Sequence, residues 1–406
     1  METIKRFLVL VVLVALIGAC AKEKEEYEPK PLNLPLKTAG VIAADNTFGL
    51  DLFTKLTAAA VPGTNQMISP LSISQALSMT YNGANGATKA AMEDALRISG
   101  YSRDELNELN KVLVDALVAH DEKVAISVAN SIWYRKEYTV LPDFIARNQS
   151  YYHAEVQPVD FAAATCKDVI NKWVSDNTNK KIDKIVDQIN PESFMFLINA
   201  IYFKGCWTNP FNVKNTGKQT FYSESGREVQ VDMMNKKMDL NVYANETFTS
   251  VELSYGKGNW RMFLFLPETG KTVADVEKSF TPDNWNNWLT RYDSVFNVQF
   301  SMPKFTFSYE ESLKDVLSAM GMQVAFTEMA DFTGILPEGG LLITGVKHKT
   351  FVEVNEEGTE AAAVTSVEVG VTSIGNFITF NKPFVFAIAE KSTGAILFIG
   401  RMMKPE

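Results

Sequence analysis

Between Glu356 and Thr372 the sequence reads EEGTEAAAVTSVEVGVT. Every second residue from Thr359 onward is small or β-branched, and both remaining charges fall on the intervening positions. A period of two over about 13 residues is typical of a β-strand. Alanine-rich strands are weak on their own, and no proline removes a backbone donor from this stretch. The pattern predicts either a mobile segment that can become a strand, or an ordinary edge strand or surface loop.

The rest of the chain predicts one large α+β domain. The 406 residues are 46% hydrophobic and 21% charged, which is ordinary for a globular protein. No linker or repeat divides residues 37–406, so we treat them as one domain. Helical periodicity dominates the first third and strand patterns follow, which favours the α+β class. The predicted helical segments are 47–53, 72–81, 87–98 and 103–120. The predicted strands include 124–134, 194–203 and a hairpin of 384–389 with 395–399. Residues 194–203 are a nearly continuous apolar run, so we predict that this strand is buried on both faces.

The N-terminus predicts export. Lys5 and Arg6 precede an 11-residue apolar run, 7–17, which is too short to span a bilayer but is typical of a secretory signal. The run ends in Ile17-Gly18-Ala19-Cys20, which resembles a bacterial lipobox. We therefore predict a signal peptide at 1–19, a lipidated Cys20 and a flexible charged tether at 20–36. The predicted location is the outer membrane, as a lipoprotein, with the cell surface or the extracellular space as alternatives. An ordinary signal peptide with an incidental cysteine is the alternative.

Several functional classes are disfavoured by composition. The net charge of -9 disfavours nucleic-acid binding. The mature chain keeps only Cys166 and Cys206, so we expect two buried free thiols, although one disulfide is an alternative, and no metal cluster. Three histidines and no Gly-x-Ser-x-Gly, His-Glu-x-x-His or P-loop motif argue against a hydrolase. We expect no cofactor, no metal and no catalytic residue.

The segment that begins at Gly358 and four other stretches of the chain resemble one protein family. Residues 358–363, Gly-Thr-Glu-Ala-Ala-Ala, resemble the hinge of inhibitory serpins. The other stretches are similar to the same family in the same order, and the similarity runs from Asn46 to Pro405. They are NQMISPLSIS at 65–74, NAIYFKG at 199–205 with Trp207, Pro210 and Phe211, FNKPF at 380–384, and GAILFIG at 394–400.

The resemblance implies a fold and a mechanism. The fold is the serpin fold, with three β-sheets, about nine helices and an exposed reactive-centre loop. A target protease attacks that loop and forms an acyl-enzyme. The cut loop then inserts as a new strand into the largest sheet and traps the protease covalently, so that the chain is an inhibitor of the suicide-substrate type and not an enzyme.

The resemblance also locates the cut. In inhibitory serpins the hinge glycine is the fifteenth residue before the bond, which gives Thr372-Ser373 here; Val369 and Val371 are alternative cut sites. Thr372 is small and uncharged, so a trypsin-like pocket with a buried aspartate is a poor fit. Elastase-like serine proteases are the favoured targets, and papain-like cysteine proteases are the alternative because Val371 is apolar.

The residues expected to control insertion fall into two groups. The hinge comprises Glu356, Glu357, Gly358, Thr359, Glu360, Ala361, Ala362, Ala363, Val364 and Thr365. We expect Glu356 to pair with a Lys or Arg, and Val364 to be tolerated on the outward face. Ser69, Ser72, Asn199 and His348 match the family's hydrogen-bonded cluster beneath the opening sheet, and Trp207 matches the packing residue where insertion starts.

A non-inhibitory serpin is the remaining alternative. Such a protein would act as a chaperone, a carrier or a surface binding protein. Thr359, Ala361, Ala363 and Thr365 are all small enough for insertion, which favours the inhibitor. For the inhibitor, we expect the target protease as the partner, in a covalent complex. We also expect a monomer that contacts the membrane through the lipid alone.

Overall fold

The computed structural model describes residues 28–190, 193–359 and 376–405. Nine α-helices lie within these ranges, joined by short turns of 3-10 helix at Val213–Asn215 and Gln323–Phe326 and a π turn at Ser318–Met322. The helices are α1 (Thr38–Ala59), α2 (Pro70–Tyr81), α3 (Gly86–Ala95), α4 (Arg103–Ala119), α5 (Pro142–Tyr152), α6 (Cys166–Asn177), α7 (Val273–Ser279), α8 (Pro282–Trp288) and α9 (Lys314–Leu317).

Fifteen strands are found in the same ranges. They are β1 (Gln66–Ile68), β2 (Val124–Arg135), β3 (Glu155–Val159), β4 (Met195–Cys206), β5 (Gly217–Tyr222), β6 (Glu228–Ala244), β7 (Phe248–Tyr255), β8 (Trp260–Pro267), β9 (Asp293–Pro303), β10 (Phe305–Ser312), β11 (Lys347–Asn355), β12 (Gly358–Thr359), β13 (Phe377–Thr379), β14 (Phe384–Glu390) and β15 (Ile396–Met402). The predicted α+β class is confirmed.

The strands form two hydrogen-bonded sheets. The first has the order β10-β11-β12-β4-β2-β3, and the second has the order β1-β15-β14-β8-β7-β6-β9-β13 with β5 on β6. The 17-residue β6 runs through both halves of the second sheet, and its pairing with β9 shifts register between Met238 and Leu240. Three sheets were expected, whereas the described residues form two, because the long β6 carries β5 at its start and β7 at its end and so keeps all these strands in one sheet.

Helix α2 positions the site under the six-stranded sheet. Ser69 caps the helix by accepting a hydrogen bond from the Ser72 N–H at 3.2 Å, and Pro70 occupies the first turn, where no backbone donor is needed. The whole of α2 is buried except for one half-buried residue, Ala76. The helix is thus held against β4 and cannot supply a solvent-exposed face.

Three sequence expectations need correction. Helix α1 begins at Thr38, nine residues before Thr47, because Val41 and Ile42 add a buried turn ahead of the predicted one. Strand β4 alternates half-buried and buried residues and so is not buried on both faces throughout. Cys166 is a buried free thiol as predicted, but Cys206 is a free and exposed thiol because it ends β4 on the outward side.

The predicted tether is partly bound to the domain. The Lys30 N–H donates to Asn259 Oδ1 at 2.8 Å, and the Leu32 N–H donates to Ser392 Oγ at 3.0 Å. Leu32 and Leu34 also pack against the main core. The flexible part of a tether would therefore end before residue 30 rather than at residue 36. Cys20 and the rest of residues 1–27 lie outside the described residues. None of the helices in the described ranges is long and apolar enough to cross a membrane.

Candidate functional site at the opening of the six-stranded sheet

The centre of the six-stranded sheet holds a strand of only two residues. Gly358 and Thr359 form β12, which is antiparallel to both of its neighbours. No ladder in the described ranges joins β11 directly to β4. Among the described residues, the line between β11 and β4, called the opening below, holds only these two residues of the hinge. The register pairs Thr359 with Val354 and Gly205, and Gly358 with Asn355 and Cys206.

Thr359 points into the protein. Its side chain is 5% exposed, and its hydroxyl lies 2.7 Å from the hydroxyl of Tyr255. Tyr255 in turn stacks on Trp207, with ring centroids 4.3 Å apart and planes 14° apart. Burial raises the pKa of the Tyr255 phenol, so the group stays neutral. Residues of the loop with the same parity as Thr359 would therefore face the core.

Gly358 is required by the close approach of two strands. Its φ is 151°, a value that favours glycine. A Cβ built at this position would collide with the carbonyl oxygen of Gly205 and lie 2.7 Å from the Cα of Cys206. Only a residue without a side chain can turn the chain into the sheet here.

The turn before β12 is fixed by Trp207 and Glu356. The Trp207 indole donates to the carbonyl of Asn355 at 2.9 Å, and its backbone N–H donates to the carbonyl of Glu357 at 2.6 Å. Glu356 is buried, accepts a hydrogen bond from the Thr216 hydroxyl at 2.7 Å and pairs with Lys304 at 3.1 Å. Burial alone would raise the pKa of Glu356, but the Thr216 hydroxyl and the Lys304 ammonium hold it below its usual range. Lys304 is the basic partner that the sequence analysis expected.

A polar network connects the two sides of the opening from below. The Ser69 N–H donates to Nε2 of His348 on β11 at 3.1 Å. The Ser72 hydroxyl donates to Oδ1 of Asn199 on β4, whose side-chain amide donates to Asn130 on β2 at 2.6 Å. Burial lowers the pKa of His348 to about 3, so the imidazole is neutral and accepts the bond. Helix α2 and its N-cap residue thereby tie β11 to β4 and β2 from below the sheet.

The segment after α6 covers the opening on the outer face. Asn179 donates to the hydroxyl of Tyr202 on β4 at 3.2 Å, and Lys181 pairs with Glu353 on β11 at 3.2 Å. The Lys181 ammonium also lies 5.2 Å from the ring centroid of Phe351. These contacts reach both sides of the opening, so an entering strand must pass beneath this segment.

A cavity lies at the end of the opening that is far from β12. Its volume is about 320 Å³, and its lining combines apolar residues of α2, the start of β4 and the stretch before β11. Volume and lining are those of a site that can hold apolar side chains or a small molecule. The lining residues include Leu77, Met195, Leu197, Ile335, Thr344 and Val346.

The comparisons with known proteins identify the family. The serpin family, described as serine protease inhibitor, matches residues 43–405. The chain belongs to the serpin family. An uncharacterized serpin-like protein of Methanosarcina acetivorans is 34% identical over 380 residues, with 90% of this chain and 88% of that protein covered. Serpins are in general inhibitors of proteases and not enzymes, although some members do not inhibit.

Two solved serpin structures are similar over nearly their whole length. The thermophilic serpin tengpin in its native state has a TM-score of 0.82 and 31% identity, with 95% of this chain and 99% of that chain covered. Human thyroxine-binding globulin, complexed with thyroxine, has a TM-score of 0.83 and 28% identity, with coverages of 91% and 99%. This serpin therefore has the family fold, shared with members of different function.

The structure brings together the predicted residues that it describes. Glu356, Glu357, Gly358, Thr359 and Trp207 meet at the mouth of the opening, and the four members of the polar cluster meet beneath it. The other predicted residues of this serpin lie outside the described residues. They are Cys20, Glu360, Ala361, Ala362, Ala363, Val364, Thr365, Val369, Val371, Thr372 and Ser373.

Sequence reasoning missed four partners of these residues. Tyr255, at the end of β7, and Thr216, just before β5, contact the hinge from positions far away in sequence, and Asn130 extends the polar cluster. Gly205 was quoted as part of a motif, but its role as the close neighbour of Gly358 needed the register. Only Gly205 carried a sequence signal, since a glycine inside a strand marks a close approach of backbones.

Proposed function

We propose that this serpin is an inhibitor of the suicide-substrate type, which is cut in its loop and traps the protease by inserting the loop between β11 and β4. The observation that carries the proposal is the position of β12. Its two residues already occupy the centre of the sheet, in antiparallel register with both neighbours. A strand that has begun there can be lengthened without any change of register.

Extending the register gives each loop residue a stated destination. One step forward along the loop is one step back along both β11 and β4. Ala361 and Ala363 would then face Phe203 and Ile201, the inward residues of β4. Thr365 would arrive between His348 and Asn199, the two ends of the polar network that it could bridge. Small residues at these inward positions avoid overpacking.

The energetics favour completion of the strand. About a dozen new ladder hydrogen bonds at about 0.5–1.5 kcal/mol each would contribute on the order of 10 kcal/mol. Val367 and Val369 would follow with inward parity and reach Leu197 and Met195 at the cavity. Filling that apolar space adds the transfer free energy of the valine side chains.

The proposed reactive bond is Thr372-Ser373, with Val369 and Val371 as alternative positions for the cut. The small, uncharged Thr372 suits an elastase-like serine protease, whose specificity pocket is small. Papain-like cysteine proteases are the second class of target, because Val371 offers an apolar residue one position before the cut. We further propose a monomer that needs no cofactor and forms a covalent complex with its protease.

We also propose that the chain is exported and anchored by a lipid on Cys20, as a bacterial outer-membrane lipoprotein. The support is the sequence of residues 1–20 alone. Since Lys30 is bound to the domain, ten residues would separate the lipid from the folded body, a reach of at most about 36 Å. Metabolic labelling with a fatty acid should mark the wild type and not Cys20→Ser.

A carrier is the second candidate function. The similarity to thyroxine-binding globulin, a serpin solved with a bound small molecule, and the 320 Å³ cavity both favour it. In that case the loop would be cut without trapping the protease. Mixing with a protease separates the two candidates.

The test uses the chain from residue 21 onward and pancreatic elastase. Denaturing gels should show a band at the summed mass, and N-terminal sequencing of the released fragment should begin at Ser373. Papain-like and trypsin-like proteases are run in parallel as target controls. Cleavage of the loop without the high-mass band by every protease would contradict the inhibitor and leave the carrier.

A further inference from the structure

The strand that follows the loop has a fixed position and an unusual surface residue. The Gln299 N–H donates to the carbonyl of Asn376 at 2.8 Å, and β13 then pairs in parallel with β9. Phe377 is nevertheless 70% exposed, whereas its neighbour Ile378 packs against the core. A single exposed aromatic ring is ordinary on a protein surface, so the residues beside Phe377 decide whether it belongs to a larger recognition surface.

Phe377 belongs to a row of three paired residues. Gln299 on β9 is paired with Phe377 on one side and with Lys237 of β6 on the other. Paired residues point to the same face of a sheet, and both Phe377 and Lys237 are exposed. The next row faces the other way: Phe300 is buried there, and Lys236 donates to the carbonyls of Asn209 and Pro210. The outward row thus offers an aromatic ring and a cationic side chain, separated by one amide.

The length of the loop places this row beside the proposed reactive bond. Thr372 lies four residues before the fixed Asn376, so its carbonyl carbon is at most about 14 Å from that residue. On the hinge side, Thr372 lies 13 positions after the fixed Thr359, which restrains the bond far less. A folded domain of about 200 residues has a radius of gyration of about 16 Å. A protease that holds this bond in its active site must therefore contact the edge of the sheet at β13.

We propose that Lys237, Gln299 and Phe377 form a recognition surface for the target protease, on the side of its cleft that binds residues after the cut. The protease that fits has an apolar depression for the Phe377 ring and an acidic side chain near it for Lys237. The inference rests on the proposed cut at Thr372-Ser373, and it adds a selection among proteases with the same small specificity pocket.

The surface makes a prediction about rates and not about trapping. Phe377→Ala should slow cleavage of the loop by pancreatic elastase about tenfold, as expected for loss of one aromatic contact at an interface. Phe377→Leu should recover part of that rate. Lys237→Glu should slow cleavage relative to the wild type at low salt. At high salt the two cleavage rates should become equal, because salt screens the effect of a charge at the rim of an interface.

The measurement is the second-order rate at which the C-terminal fragment appears. This rate can be followed whether or not a covalent complex forms. If the inhibitor proposal fails, the high-mass band is absent while the loop is cut at a normal rate. Failure of the recognition surface instead shows as unchanged cleavage rates in the variants. Met329→Ala is the matched control, because Met329 is 82% exposed outside the row. Thermal melts of all variants check folding. Wild-type cleavage rates in Phe377→Ala and Lys237→Glu, with the bond still cut after Thr372, would overturn the proposal.

Discussion

Replacing Thr359 by arginine should convert the proposed inhibitor into a substrate. Thr359 is 5% exposed and shares a hydrogen bond with Tyr255 at the first inward position of the new strand. The substitution removes that bond, worth about 1 kcal/mol, and buries a charge whose desolvation costs several kcal/mol. Before the cut, the hinge of the variant can leave the sheet and so avoid this penalty, which a fully inserted strand cannot do. Since 1.4 kcal/mol is a factor of ten, a penalty of about 3 kcal/mol then slows insertion more than 100-fold.

The assay compares two outcomes of the same acyl-enzyme. Titration of elastase with the variant gives the number of serpin molecules consumed per protease inhibited, and gels show whether the covalent band survives. We expect Thr359→Arg to be cut at the same bond and at the same rate, but to release active protease. The cleaved variant should also lack the gain in Tm that insertion gives the wild type.

Glu360→Arg is the matched control for this variant. It adds the same side chain one residue later, where the parity of β12 directs residues outward, and the extended register sets it beside Lys204 and Glu353. We expect this variant to keep trapping the protease. If Thr359→Arg also traps at an unchanged stoichiometry, insertion does not proceed with Thr359 facing the core, and the register argument fails.

Three further predictions concern stability. Gly358→Ala should lower the Tm of the uncut chain, because the added Cβ collides with the backbone of Gly205; Gly217→Ala, where a Cβ meets nothing within 4 Å, is the control. His348 has a pKa of about 3 when folded and an ordinary value of 6.5, so it favours the folded state above pH 6.5 and loses this contribution as the pH falls towards 3. The difference in free energy of unfolding between wild type and His348→Asn should shrink by about 1.4 kcal/mol per pH unit below pH 6, as urea unfolding can measure. Starting the chain at residue 37 should cost about 3 kcal/mol relative to a start at residue 28, from two hydrogen bonds and the packing of Leu32 and Leu34; equal urea midpoints would contradict the bound tether.

The sequence predicted the features that follow from local chemistry. Ser69 was found by resemblance, and the structure adds a local cause for its position: its side-chain oxygen, just before Pro70, satisfies a free donor of the first turn. The parity of Thr359 was readable because strand residues alternate strictly between two faces. The hinge glycine was found by resemblance, and the structure supplies its physical cause in the collision with Gly205.

Features that depend on distant partners were not readable. Tyr255 and Thr359, whose hydroxyls share a hydrogen bond, are 104 positions apart in the chain, and no sequence pattern in β7 predicts this contact. Cys206 was expected to be buried because free cysteines usually are, but the end of β4 turns it outward. The charged, proline-rich composition of residues 20–36 indicated a flexible tether, whereas the backbone donors of Lys30 and Leu32 find acceptors on two turns of the domain.

The two candidate functions compete for one space. In the extended register Val367 and Val369 would occupy the region of Leu197 and Met195, which line the 320 Å³ cavity. A small molecule bound there would exclude the last part of the inserted strand, and an inserted strand would exclude the molecule. Because such coupling is reciprocal, a ligand that blocks trapping must be released when the loop is cut. Carrier and inhibitor are thus two uses of one opening, and the balance between them depends on how far a strand that starts at Gly358 can advance.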